Sequence, residues 1–218
     1  MIPARRHNDA GQALPVYITV VGGLLFLALV YFAVGQAAAK RSEAQTAADA
    51  AALAAALETR DRLTGQWLRD LRAPDQWQDI FDGRVPVGNA CWRAEQLAAR
   101  NDASVRCAPH GPLAYRVEAT TNGTVGDTVV PGTEGRRATE RATAVIEFRC
   151  SFTMPPEDAD ADEDAGDADA DEDAEDADDA EDVELPSLLC DGKRWDLDPD
   201  DVSDLPEPQD LFDVHLAD

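Results

Sequence analysis

Apolar and polar positions divide the chain into segments of different character. No charged residue occurs between Ala10 and Ala39, and residues 16–34 are almost continuously apolar. A helix needs roughly 20 apolar residues to cross a bilayer core. The pattern therefore predicts a transmembrane helix over residues 13–39, preceded by a short basic leader over residues 1–12. A buried core helix is the alternative, but a domain of this size would hardly enclose one.

A second helical pattern continues over residues 40–73. Residues 45–58 are mostly alanine, the strongest helix former, and large apolar side chains recur every four residues from Leu63 to Leu71. Pro74 is expected to stop the helix near Arg72. Small side chains let another helix approach closely, although they also suit a plain helical stalk. The candidate helix-packing residues are Ala47, Ala48, Ala51, Leu53, Ala54 and Leu57.

The next segment, residues 74–155, changes from helical to mixed patterning. Residues 90–101 predict a short helix, and residues 102–107 lead into a strand. Alternation over residues 112–120 and 144–152 predicts two further strands, separated by turn-rich sequence. We therefore expect an α+β fold in which the long transmembrane and stalk helix is followed by a small domain of one helix and an antiparallel sheet.

Four cysteines lie beyond the apolar segment: Cys91, Cys107, Cys150 and Cys190. None forms a CxxC pair and no histidine cluster accompanies them, so the usual zinc spacings are absent. An even number of widely spaced cysteines favours two disulfides over free thiols or a metal site. Three pairings are open, and we favour Cys91 with Cys107 and Cys150 with Cys190.

The orientation in the membrane follows from the cysteines rather than from charge. Arg5 and Arg6 precede the span and Lys40 and Arg41 follow it, so the positive-inside rule is nearly balanced. Paired thiols belong in an oxidising compartment. We expect a single-pass cell-membrane protein with a cytoplasmic N-terminus and an extracytoplasmic remainder. Signal cleavage near Ala39 is the alternative, although the apolar run is long for a secretory signal.

The negative charge is concentrated at the end of the chain. The net charge is −25, but residues 157–184 hold 18 acidic side chains and no basic one, and residues 191–218 hold 10 acidic and two basic ones. Residues 1–156 are therefore near neutrality. We expect a disordered acidic tract over residues 156–185, followed by an acidic C-terminal segment over residues 186–218. Weak binding of divalent cations to the tract is a second interpretation. The absence of a basic stripe argues against nucleic acid.

Nothing in the sequence points to catalysis or to a cofactor. The three histidines, His7, His110 and His215, stand alone, and no phosphate-binding glycine loop occurs. Residues 196–207 space acids as an EF-hand does, but Asp201 stands where the calcium loop needs glycine. We expect a protein that is not an enzyme.

The N-terminal quarter resembles a known family. The leader with Gly11-Gln12-Ala13, the apolar span and the Gln-Thr-Ala-Ala-Asp-Ala-Ala-Ala-Leu-Ala stretch at residues 45–54 resemble the TadE/TadG type of Flp (tight adherence) pilus-assembly protein. The resemblance implies a pseudopilin-like membrane component of a surface pilus machine, with other membrane proteins of that machine as partners. It also makes Gly11 and Gln12 a candidate processing site, although Val16 stands where prepilins usually carry glutamate.

Three functional hypotheses follow from these features. The first is a pseudopilin-like component of Flp/Tad pilus assembly or of a related surface secretion system. The second is a generic membrane-anchored cell-surface protein whose outer domain binds a ligand or cations. The third is a secreted protein released by cleavage of its apolar segment.

Overall fold

One long helix dominates the molecule. The computed structural model describes residues 13–124, 135–154, 185–201 and 204–217. Helix α1 spans Ala13–Arg69 and its 57 residues reach about 85 Å at 1.5 Å per residue. The expected continuous helix through the apolar and alanine-rich segments is therefore confirmed. It ends at Arg69 rather than near Arg72, and a 3-10 helix, Pro74–Gln76, follows a short turn.

The remaining elements are short and build a mixed α+β domain, as expected. The helices are α2 (Trp77–Phe81), α3 (Cys91–Arg100) and α4 (Pro208–Leu211). The strands are β1 (Ala103–Pro109), β2 (Ala114–Thr121), β3 (Thr139–Phe148), β4 (Cys150–Ser151), β5 (Leu188–Cys190), β6 (Lys193–Trp195) and β7 (Phe212–Leu216).

The strands form two antiparallel sheets. The larger has the order β1-β2-β3-β7, and the smaller has the order β4-β5-β6. The alternation over residues 144–152 predicted one strand, but the structure divides it at Arg149. The Arg149 amide donates to the carbonyl of Leu211 at 2.9 Å, just beyond the last β3–β7 pair, and from Cys150 the chain pairs with β5 instead.

Helices α1 and α3 cover one face of the larger sheet. Helix α1 packs against β2, β3 and β7, and α3 packs beside it and against β1. The inward positions of β2 and β3 alternate with exposed ones and include Tyr115, Val117, Ala144 and Ile146. The alanine-rich part of α1 supplies the opposite wall, so it belongs to the core of the domain and is not a free stalk.

The end of the chain completes the larger sheet. Strand β7 pairs with β3, with Phe212 opposite Phe148 and Leu216 opposite Ala144. The folded domain therefore extends beyond the expected range of 74–155 at both ends, from Ala44 of α1 to β7. Alternating apolar residues at 212, 214 and 216 give β7 its inward side, although the segment around it is acidic.

Aromatic residues fill the end of the domain farthest from the apolar part of α1. Phe81 stacks on Phe148 with 3.9 Å between ring centroids, and Trp67 meets Trp77 edge-on at 5.7 Å. Gly83 closes this region: its φ is +67°, and a Cβ there would lie 2.8 Å from Leu113 Cδ2. Only glycine fits such a conformation and approach without displacement.

Two disulfides join separate parts of the domain. Cys91 is bonded to Cys107 and Cys150 to Cys190, with no free cysteine. These are the pairings favoured from the sequence. The first ties the start of α3 to β1, and the second ties β4 to β5. Because β4 and β5 flank the acidic run, the second disulfide closes the loop that contains it.

Candidate assembly surface along helix α1

The N-terminal part of α1 exposes a long series of large apolar side chains. Each is between 45% and 83% exposed, and none of the most apolar 18-residue stretch of the helix is buried. These residues are Leu14, Val16, Tyr17, Ile18, Val20, Leu24, Leu25, Phe26, Leu27, Leu29, Val30, Tyr31, Phe32 and Val34. A continuous apolar surface of this kind marks contact with a membrane or with other protein.

The composition of this part of the helix suits a bilayer. It is long and apolar enough to cross a membrane, and it carries no charged residue before Lys40. Thr19 donates its hydroxyl hydrogen bond to the carbonyl of Pro15 at 2.8 Å, so this polar group is satisfied within the helix. Pro15 lies in the first turn of α1, where a missing backbone N–H breaks no helical hydrogen bond.

Three glycines in this part of the helix have no packing role within the described residues. A Cβ added at Gly22, Gly23 or Gly35 would meet nothing within 4 Å. Glycine in a helix interior is less favourable than alanine by roughly 0.8–1.0 kcal/mol. Small residues in a membrane helix allow a second helix to approach closely, which gives these positions a role only when a partner is present.

Ion pairs mark the level at which the folded domain begins. Lys40 Nζ lies 2.7 Å from Glu43 Oε2, and Arg41 Nε lies 2.6 Å from Glu140 Oε1 on β3. A Cβ at Gly123, after β2, would lie 3.7 Å from Lys40 Nζ. The membrane-proximal ends of β2 and β3 therefore meet α1 directly after its last apolar turn.

The candidate helix-packing residues divide into buried and accessible positions. Ala47, Ala48 and Ala51 are fully buried and Ala54 is 7% exposed, all within the chain's own core. Leu53 is half-buried and Leu57 is 38% exposed. The alanines thus allow the close approach of the chain's own sheet and of α3, and only the two leucines remain available to a partner.

Leu53 and Leu57 lie in a groove between α1 and α3, which we call the α1–α3 groove. Its volume is about 380 Å³. Apolar residues form much of its lining, with two arginines from α3 and both acidic and basic side chains from α1 beside them. The lining residues are Ala50, Leu53, Ala54, Leu57, Glu58, Arg60, Asp61, Arg93, Leu97 and Arg100. Sequence reasoning found the α1 side of this groove but missed Arg93, Leu97 and Arg100, because nothing local to α3 indicates which helix it faces.

The family comparison covers the same part of the chain. Residues 11–58 match the family model of TadE/G-like Flp pilus-assembly proteins. The match starts at Gly11, includes the exposed apolar part of α1 and ends at Glu58, which lines the α1–α3 groove. It spans less than a quarter of the chain and none of the sheet. No curated protein and no solved structure matches the chain.

The other candidate residues of the sequence lie elsewhere. Gly11 and Gln12 fall outside the described residues, as does nearly all of the acidic tract. Of the EF-hand-like acids, Asp198 Oδ1 accepts the amide of Asp200, which pairs with Arg72 at 2.7 Å. Within the described ranges, no three carboxylate, histidine or cysteine side chains are grouped as a metal site would require.

Proposed function

We propose that this protein is a non-enzymatic, pseudopilin-like component of an Flp/Tad-type pilus assembly or a related surface secretion system. In this proposal the apolar part of α1 anchors the protein in the membrane as a single span. The folded domain stands outside the cytoplasm, where its two disulfides are stable. Other membrane proteins of the machine are the partners.

One coincidence carries the proposal. The segment that matches the TadE/G-like family model is also the segment whose apolar side chains are exposed, and it ends at the α1–α3 groove. The sheet lies outside the match, and most of the matched alanines from Ala47 onward are buried in the core beneath it. An assembly role through α1 therefore uses the part of the chain whose apolar surface has no packing partner among the described residues.

The proposed contact has two parts along α1. Within the bilayer, Gly35 admits a neighbouring helix on the face of α1 that carries Leu53 five turns later, whereas Gly22 and Gly23 lie on other sides of the helix. Outside it, Leu53 and Leu57 receive the continuation of that neighbour in the α1–α3 groove. Arg93 and Arg100 on α3 face Glu58, Arg60 and Asp61 on α1, where Arg60 pairs with Asp61. The excess positive charge on the α3 side would select the direction and identity of the partner.

The leader and the acidic tract have separate proposed roles. Cleavage between Gly11 and Gln12 would produce a mature chain that begins just before α1, while retention of the leader would leave Arg5 and Arg6 in the cytoplasm. The acidic tract would bind divalent cations weakly, through its charge density and without a structured site. N-terminal sequencing and calcium titration calorimetry test these two points.

Affinity purification from native membranes tests the assembly role. The full chain, carrying a C-terminal tag and solubilised in mild detergent, should enrich a secretion ATPase or polytopic platform proteins of the same pilus system. The matched variants are Leu57→Glu in the groove and Leu189→Glu on an unrelated exposed site. We expect Leu57→Glu to lose these partners and Leu189→Glu to retain them.

A chain without an assembly role would behave differently. Recovery of no pilus-system protein with the unmodified chain, while normal piliation persists in cells that lack it, would contradict the proposal. The hypothesis of a generic membrane-anchored cell-surface protein would then be favoured. In that case a cleft of about 420 Å³, lined in part by Gln45, Asp49, Arg116 and Arg141, is the first place to seek a ligand.

A further inference from the structure

Three exposed arginines converge on the sheet face opposite the helices. Arg106 on β1, Glu118 on β2 and Arg141 on β3 lie opposite one another in register, and Arg116 lies one row further along β2. The Arg106 and Arg141 side chains are 83% and 72% exposed, and Arg116 is also exposed. We call these three residues the arginine cluster.

The cluster holds more positive than negative charge. Glu118 is only 13% exposed and forms ion pairs with both Arg106 and Arg141. Arg116 Nη2 instead lies 2.9 Å from His110 Nε2. Among the described residues, Glu118 is the carboxylate paired with the cluster, and Asp49 of α1 shares a cleft with Arg116 and Arg141. Three guanidinium groups therefore have fewer carboxylates than charges to balance. A small hollow of about 190 Å³ lies between the arginines and Glu118.

This arrangement favours an anionic occupant. Like charges on neighbouring strands repel one another unless counter-charges lie between them. Each guanidinium has five N–H donors in a planar fork that suits carboxylates, and a single shared glutamate leaves several of these donors unused. Carboxylate groups placed over the hollow would satisfy them and would reduce the repulsion between the arginines.

The chain itself carries the densest source of carboxylates. Residues 157–184 hold 18 acidic side chains and no basic one. The segment leaves the domain after Met154 and rejoins it at Leu185, next to β5. Covalent connection gives a tethered segment an effective concentration on the order of millimolar at a nearby site, so a free anion would compete poorly with it.

The available length is sufficient. Arg141 precedes the end of β3 at Phe148 by seven residues, or about 24 Å at 3.4 Å per residue. Thirty residues lie between Met154 and Leu185, and a chain that leaves and returns can reach about 50 Å. The run therefore spans the distance from β4 to the arginine cluster with length to spare.

We propose that the acidic run 157–184 binds in cis to the arginine cluster of its own domain. Only a few of its carboxylates contact Arg106, Arg116 and Arg141, and the others stay in water. The interaction shields the exposed arginines of the extracytoplasmic domain from other polyanions. Because it joins exposed charges, it weakens as salt is added.

Zero-length cross-linking tests this contact. The variant Arg106→Lys/Arg116→Lys/Arg141→Lys keeps the charge and adds amines that a water-soluble carbodiimide joins to carboxylates. The native chain has only two lysines, Lys40 and Lys193, so few other amines compete. The matched control is Arg69→Lys/Arg84→Lys/Arg100→Lys, which changes three exposed arginines elsewhere. Both full-length variants are cross-linked in detergent micelles and then digested with trypsin, and the products are identified by mass spectrometry.

In the Arg106→Lys/Arg116→Lys/Arg141→Lys variant, the expected product joins the introduced amine at position 106, 116 or 141 to the tryptic peptide 150–193. Its yield should exceed that of the control variant, and it should fall at least about threefold between roughly 0.02 and 0.5 M salt, as the Debye length shrinks from about 20 to about 4 Å. A mixture of isotopically light and heavy chains should give products within one chain only. Equal yields in both variants, products between chains or a yield insensitive to salt would overturn the proposal.

A second measurement uses the unmodified chain, so its result does not depend on whether the variants fold. Hydroxyphenylglyoxal modifies accessible arginines, and mass spectrometry locates the adducts. Arg106, Arg116 and Arg141 should become more reactive as salt is raised, relative to Arg69, Arg84 and Arg100. The proposal would also be overturned if the reactivity of the arginine cluster did not change with salt, or if it rose in parallel with that of the three control arginines.

Discussion

The hydroxyl groups of Thr59 and Tyr115 lie 2.9 Å apart in the core and join helix α1 to strand β2. Thr59 also donates to the carbonyl of Ala55 at 3.0 Å, and Tyr115 accepts the amide of Ala90 at 3.2 Å, just before α3. Thr59 is 2% exposed and Tyr115 is 4% exposed. One buried tyrosine hydroxyl therefore connects the long helix, the sheet and the start of α3.

Tyr115→Phe is expected to destabilise the folded domain. The change leaves the Ala90 amide without its buried acceptor and removes one partner of Thr59, and an unsatisfied buried group costs about 1–3 kcal/mol. Urea unfolding of the full chain in detergent, followed by near-ultraviolet circular dichroism, measures the loss. Tyr31→Phe is the control, because Tyr31 is 83% exposed. Equal effects of the two changes would contradict the bridging role of Tyr115.

Enlarging the buried alanines of α1 is expected to disturb the same domain. Ala51 and Ala55 have no exposed surface, so Ala51→Leu or Ala55→Leu should cost about 1–3 kcal/mol through overpacking. The same unfolding experiment applies, with Ala38→Leu on the exposed part of the helix as control. If the alanines formed an open stalk, leucine at 51 would be as harmless as leucine at 38.

Removal of the first disulfide is expected to weaken the attachment of α3. Cys91 and Cys107 are 16 residues apart in sequence, and closing a loop of this length contributes about 3 kcal/mol in the chain-entropy model. Cys91→Ser/Cys107→Ser should lower the free energy of unfolding by this amount. The comparison is with the unmodified chain, without reductant in either case. An unchanged unfolding midpoint would show that packing alone holds α3 in place.

Charges introduced into the apolar part of α1 are expected to release the protein from the membrane. Arginine at the centre of a membrane helix costs about 2.5–3.5 kcal/mol on the translocon-insertion scale, so Leu24→Arg/Leu27→Arg should reduce the fraction that resists alkaline carbonate extraction. Leu189→Arg, at a residue that is 44% exposed in the folded domain, should leave that fraction unchanged. Complete extraction of the unmodified chain would contradict membrane anchoring.

Much of this architecture follows from local sequence patterns. The uninterrupted apolar and alanine-rich stretch predicted α1, the amphipathic stretch around Ala94 and Ala98 predicted α3, and the number of cysteines predicted two disulfides. These features depend on helix propensity, on periodicity and on an oxidising compartment, all of which can be read without knowledge of distant contacts.

Other features depend on contacts between remote segments. Alanine at position 51 suits an open stalk and a buried interface equally well, so its burial is decided by the sheet and α3. Strand β7 has the alternation of a strand, but its acidic surroundings indicated only a charged tail. The arginine cluster exists because the register places Arg106 and Arg141 on either side of Glu118, and register cannot be read from any one strand.

Photo-cross-linking at Leu57, carried out in cells with intact membranes, tests the assembly role most directly. A photoreactive residue replaces Leu57 in the α1–α3 groove or, as control, Leu189 on the smaller sheet, and cells are irradiated with their membranes intact. The account predicts an adduct from position 57, but not from 189, that contains another protein of the same pilus system. Two results would contradict the account, provided that the chain is present at its normal level in the membrane. One is the same adduct from both positions, and the other is no adduct from either.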